Sequence, residues 1–119
     1  MEFGAFYPFS RNHNTDDGID QDPVSLGPEV VKSSKQALSI RYALLPFLYS
    51  LFVKSHILGE PVVTPVFFHA IPGDEMAYYV DDQMFWGSEL LIVPVLAEDQ
   101  TQGAEKLFNT VNPRLEVDL

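Results

Sequence analysis

Residues 37–62, ALSIRYALLPFLYSLFVKSHILGEPV, decide how the rest of the chain is read. Leu38, Tyr42, Leu45, Tyr49, Phe52 and His56 recur at spacings of three and four, the period of one helical face. Pro46 falls inside the run. A proline there removes the bond to the carbonyl of Tyr42 and crowds that turn, so a kink rather than a stop is expected. Gly59 suits a left-handed C-terminal cap, and Pro61 bars continuation. Upstream, Ser25 and Gly27 are candidate caps, and Pro28 fits a first turn, where its missing N–H costs nothing. The reading is one long buried helix. Its uncharged stretch, 42–53 between Arg41 and Lys54, falls short of the ~20 residues of a membrane span.

Before the helix, residues 3–9 are apolar and aromatic and read as a short buried strand, with Pro8 near its end because proline cannot donate to a ladder. The run GAFYPFSRNHN, 4–14, then turns abruptly polar at Arg11, Asn12, His13 and Asn14. Hydrogen-bonding side chains at the end of an aromatic segment are the usual furniture of a ligand cleft. Asp16, Asp17, Gly18, Asp20, Asp22 and Pro23 mark the next stretch as a loop, a natural rim for such a cleft. After Pro61 the pattern changes. Residues 62–68, 78–80 and 90–96 are β-branched and aromatic, separated by Pro72-Gly73 and Asp81-Asp82, and read as strands of a second, all-β unit. A strand, a helix and then strands do not close into a familiar small domain, so the chain reads as cut from something larger.

Composition narrows the function classes. The 119 residues, 46% hydrophobic and 13% aromatic, are enough for a real core, and a globular chain is expected. Seven basic against seventeen acidic residues give a formal charge of −10, with no patch to neutralise a phosphate backbone or an anionic membrane. Cysteine is absent, which removes disulfides, thiolate chemistry and cysteine-based zinc sites. Met1-Glu2 opens without the basic and apolar regions of a signal peptide. A helix-loop-helix calcium loop starting at Asn12 would need glycine sixth and glutamate twelfth, where Asp17 and Pro23 stand. His13, His56 and His69 are too scattered for a zinc motif. Ser10, His13 and Asp16 are near neighbours without the strained elbow of a nucleophilic serine. His56 and His69, in apolar surroundings, read as core or interface histidines, and only His13 stands in a polar run. Phe85 and Trp86 could stack on a sugar, but in a β-rich unit they read as core packing, as do Tyr42, Tyr49 and Phe52 on the helix.

Three strings, GAFYPFSRNHN, the helix segment 37–62, and TPVFFHAIPGD (64–74) with VDDQMFWGSELLIVPVL (80–96), resemble, in this order, consecutive segments of the glycoside hydrolase family 31 α-glucosidases. They cover about residues 3–97. The resemblance implies an α/β then all-β chain of incomplete domains. Residues 1–62 would be the terminal strand and helix of a (β/α)8 catalytic barrel, and 63–119 the first strands of the β-sandwich behind it. The family's activity is retaining hydrolysis of terminal α-linked glucose from oligosaccharides or glycans, with no cofactor and no metal. His13 aligns with a histidine that hydrogen-bonds the glucosyl unit, and Arg11 and Asn12 are expected to support the site. The paired carboxylates of such an enzyme, about 5 to 5.5 Å apart, belong to earlier strands, in a W-x-D-M-N-E motif and a later G-D segment. Neither occurs in this sequence, and Gly73-Asp74 lies past the barrel's end.

No catalytic residue is therefore expected in this chain, and the chain alone is expected to be inactive. Its implied partners are an oligosaccharide and the missing N-terminal part of the barrel, with no nucleic acid and no membrane span. The compartment stays open; the resemblance points to the secretory pathway, a lysosome or the extracellular space. Beyond about Glu98 the sequence departs from the family pattern. A non-catalytic carbohydrate-binding or interaction fragment, or an unstable truncated product, are the other readings.

Overall fold

Gly27, in the left-handed region at φ 103°, turns the chain into helix α1, Pro28–Leu58, and its carbonyl accepts the N–H of Val31 at 3.1 Å. Of the two cap candidates the glycine is therefore the one that borders the helix. Pro28 takes the first position, and α1 runs through Pro46 without stopping. It ends as expected at Gly59, where φ is 75° and the N–H returns to the carbonyl of Ser55 at 2.9 Å. The computed structural model describes residues 3–96 and the backbone of 115–118. The chain divides into two compact units, Met1–Leu45 and Pro46–Leu119.

The buried positions of α1 are Ser34, Ala37, Leu48 and Leu51, offset from the expected stripe. Tyr42 and Tyr49 are 70% and 72% exposed, Phe52 is exposed, and so is His56 in the last turn. The packing expected of these side chains is thus not made among the described residues. Apolar residues occupy much of the helix circumference, so their period marks a helix without choosing its buried face. By length and a mean hydropathy of 1.3 in its most apolar window α1 could cross a bilayer, a test that core helices of soluble proteins also pass.

In the first unit, Phe3–Phe6 is a 3-10 turn, not the expected strand. A strand needs a neighbour to take its backbone groups, and among the described residues none lies beside it. The segment instead turns on itself, the N–H of Tyr7 reaching the carbonyl of Gly4 at 3.3 Å. Ala5 and Phe6 are buried.

The second unit carries the sheet, in the order β1 (Val63–Pro65), β2 (Met84–Trp86), β3 (Leu90–Val93), β4 (Leu115–Asp118). The first two pairings are antiparallel, with Thr64 opposite Phe85 and Phe85 opposite Leu91; β3 and β4 are parallel. Every residue of β2 and β3 is buried, the mark of strands covered on both faces. Val66, Ala77, Val80, Phe85, Leu91 and Val93 form one apolar cluster. Phe85 and Trp86 are core residues, as expected.

Two strand expectations shorten and one fails. The 62–68 run keeps only Val63–Pro65 as strand and then coils into a 3-10 turn, Val66–Phe68, because Pro65 has no N–H to extend the ladder. The 90–96 run stops at Val93, before Pro94. Of the 78–80 segment, Tyr78 and Tyr79 belong to a 3-10 turn, Glu75–Tyr79, that Val80 ends; the turn is started by Asp74, whose side chain accepts the N–H of Met76 at 3.1 Å. Ala77 is buried while Tyr78 and Tyr79 both point outward, so the alternation a strand requires is lacking. Most of the divergent tail, 97–114, lies outside the described residues.

Candidate functional site

The polar run of the first unit emerges from the buried Ala5–Phe6 turn with Arg11, Asn12, His13 and Asn14 all exposed. Its conformation comes from its flanks. On the near side, Arg41 of α1 donates Nη1 to the carbonyls of Ala5 and of Tyr7, the latter at 2.7 Å, and Nη2 to that of Pro8 at 3.2 Å. These carbonyls belong to a segment outside the described sheet, and a guanidinium offers several donors in a fixed fork. On the far side, Asn12 Nδ2 donates to the carbonyl of Gln21 and Asn14 Nδ2 to that of Ile19, both at 2.8 Å. Two asparagines one residue removed from His13 on either side thus tie the run to residues 19–21.

The loop beyond is closed by its own turns. Gly18 donates to Thr15 at 3.0 Å. Asp22 accepts the amides of Val24 and Ser25, at 3.0 and 3.1 Å, and the hydroxyl of Ser25. The Ser25 hydroxyl, more than the amides, holds the Asp22 carboxyl below its ordinary value. Ser25 therefore serves this turn instead of capping the helix. Asp16, Asp17, Asp20 and Asp22 are all exposed, and Asp22 holds the turn.

Gly4, Ala5, Ser10, Arg11, Asn12, Pro23 and Leu38 line a hollow of about 320 Å³. Arg11 and Asn12, adjacent in sequence, both line it, while His13 is not among the lining residues. The hollow is open at the surface, and Ser10, Arg11 and Asn12 give its lining hydrogen-bonding side chains that can meet the hydroxyls of a polar ligand. Among the described residues no carboxylate lines it.

The second unit holds a different polar arrangement. The Thr64 hydroxyl lies 2.7 Å from His69 Nε2 and 3.3 Å from the carbonyl of Gly87, within hydrogen-bonding distance of both. His69 packs on Phe85, ring centroids 4.4 Å apart. Burial pushes its pKa below the ordinary value, partly offset by the Glu89 carboxylate. This is a satisfied histidine of the core margin, as expected. Asp74, the other residue that could be mistaken for a catalytic group, caps a turn. Sequence reasoning missed Arg41; the signal was a lone guanidinium interrupting an apolar helical run.

Residues 1–51 match the glycosyl hydrolases family 31 TIM-barrel domain, and residues 59–108 match the glycosyl hydrolase family 31 C-terminal domain. Intestinal sucrase-isomaltase of Oryctolagus cuniculus is 52% identical over 107 residues, 88% of this chain and 6% of the relative. Lysosomal alpha-glucosidase of Mus musculus is 42% identical over 101 residues, 85% of this chain and 10% of its own length. The probable maltase-glucoamylase 2 of Homo sapiens is 47% identical over 100 residues, 82% of this chain and 4% of its own. The chain therefore spans only a small part of the curated relatives it matches.

Proposed function

The chain belongs to glycosyl hydrolase family 31, and on that premise we propose that it is the sugar-gripping end of a retaining α-glucosidase's catalytic barrel, joined to the start of the next domain. Residues 1–62 form the barrel portion and residues 63–119 open the β-sandwich. The complete enzyme hydrolyses terminal α-linked glucose from oligosaccharides or glycans. His13 binds the glucosyl unit, and Arg11 and Asn12 support it. The observation that carries this reading is the polar run itself, exposed together with Tyr7 and Phe9 beyond the buried Ala5–Phe6 pair and braced on both sides of His13.

The chemistry rests on what such groups do to a sugar. In a barrel enzyme, reacting groups gather at the C-terminal ends of the strands, where a run such as 11–14 would meet the substrate. An imidazole can donate to or accept from a ring hydroxyl. A hydrogen bond that strengthens as the ring flattens toward an oxocarbenium-like transition state raises kcat, not only affinity. Nucleophile and acid/base carboxylates must come from elsewhere, since neither motif is present in this sequence.

Two assays test the proposal. The 119-residue chain alone is expected to release no glucose from maltose. Residues 1–108, placed at the matching position of a complete family 31 α-glucosidase, are expected to leave it active on a maltose-like substrate. A chimera that folds yet has lost hydrolysis would contradict the proposal, as would turnover by the isolated chain.

A further inference from the structure

Arg41 is the one described side chain that donates to three backbone carbonyls remote in sequence, those of Ala5, Tyr7 and Pro8. It is half-buried, on an otherwise apolar stretch of α1. A guanidinium does not leave water for a helix–turn contact without such acceptors. The three acceptors lie within four consecutive residues, 5–8, which belong to no strand of the described sheet, so one planar fork spans the whole turn. The last of them, Pro8, stands three residues before Arg11 and five before His13.

From this geometry we propose that Arg41 is a positioning residue: its forked guanidinium fixes the 5–8 backbone and so sets where the Arg11–Asn14 run, and His13 within it, presents itself to substrate. The inference rests on the proposed role of His13 in sugar binding. The asparagine bonds to Ile19 and Gln21 fix the run's far side, and Arg41 supplies the near one. A displacement of about 1 Å in a group that grips a transition state can cost on the order of a hundredfold in rate. Lysine, a point charge on a flexible stem, can satisfy one carbonyl but cannot reproduce the fork.

Two measurements test it. In the 119-residue chain, Arg41→Ala is expected to shift the backbone amide resonances of residues 5–14 while those of residues 63–93, in the other compact unit, stay in place. Arg41→Lys should give a smaller shift of the same set. If both sets collapse in Arg41→Ala, Arg41→Lys carries the test: unmoved 5–14 amides would overturn the proposal. In the complete chimera, Arg41→Ala is expected to lower kcat/KM by roughly tenfold to a hundredfold, with partial recovery in Arg41→Lys. In a His13→Ala background the same substitution should cost less than about threefold, because a residue acting through another is not additive with it. Equal losses in both backgrounds would make Arg41 a general scaffold residue and overturn the proposal. His13→Ala alone reports separately on the sugar-binding role, so a failure there is told apart from a failure at Arg41.

Discussion

The two compact units hold their backbones in different ways. In Pro46–Leu119 the chain pairs with itself, and β2 and β3 are buried along their whole length. In Met1–Leu45 the segment 3–8 lies outside the described sheet, and side chains take up backbone carbonyls: Arg41 three, Asn12 and Asn14 two more. Order in the first therefore depends on a few replaceable polar groups, and in the second on packing. The first unit is also where the polar run is exposed, which is the arrangement expected of a binding region carried on a scaffold.

The comparison can be broken hardest in the sheet. Trp86→Ala removes the largest fully buried side chain, 0% exposed, and is expected to cost the second unit about 3 to 5 kcal/mol. Urea or thermal melts followed by sheet circular dichroism would read it, and a loss below about 1 kcal/mol would contradict the packing described for β2. Gly87→Ala comes next. Gly87 turns β2 into β3 at φ 59°, and an added Cβ would lie 2.7 Å from Leu51 Cδ2 and 2.5 Å from Glu89 Oε2. The expected cost is about 1 to 3 kcal/mol, from strain at positive φ and from overpacking.

The smallest effect is a pH dependence. Burial lowers the His69 pKa from its ordinary 6.5, so the unfolded chain binds the proton more readily than the folded one. Stability contributed by neutral His69 is complete above pH 6.5 and falls as pH drops toward the depressed folded value. Melting temperature should decline over that window in the native chain, and His69→Phe should remove that part of the slope. Unchanged slopes in both proteins would show that the ring does not titrate with folding.

Some of this was legible in the residues and some was not. The helix, its glycine end and the Leu90–Val93 strand come from local chemistry: an apolar period, a left-handed cap, a β-branched run stopped by proline. The buried face of α1 was not, because two adjoining stripes are both apolar and only neighbours choose between them. The Phe3–Phe6 segment has strand composition, yet a strand is a property of a pair, and local turn bonds win where the pair is lacking. Likewise, Tyr78 and Tyr79 look β-prone, but the Asp74 cap decides their backbone. At the candidate site the polar run is visible as a change of residue type. That Asn12 and Asn14 reach back to 19–21, and that Arg41 reaches across 33 to 36 positions, depends on folding and leaves no pattern of spacing.

The central claim is that the run 11–14 grips a sugar through His13, and it is tested most directly by His13→Ala in a complete family 31 enzyme carrying this segment. Activity on maltose and affinity for a charged iminosugar resembling the oxocarbenium ion should be measured together. The expected result is a loss of about a hundredfold or more in kcat/KM, carried mainly by kcat, with a parallel loss of iminosugar affinity. An unchanged kcat/KM would remove His13 from the site, and a rise in KM alone would show a grip on the ground state but not on the transition state.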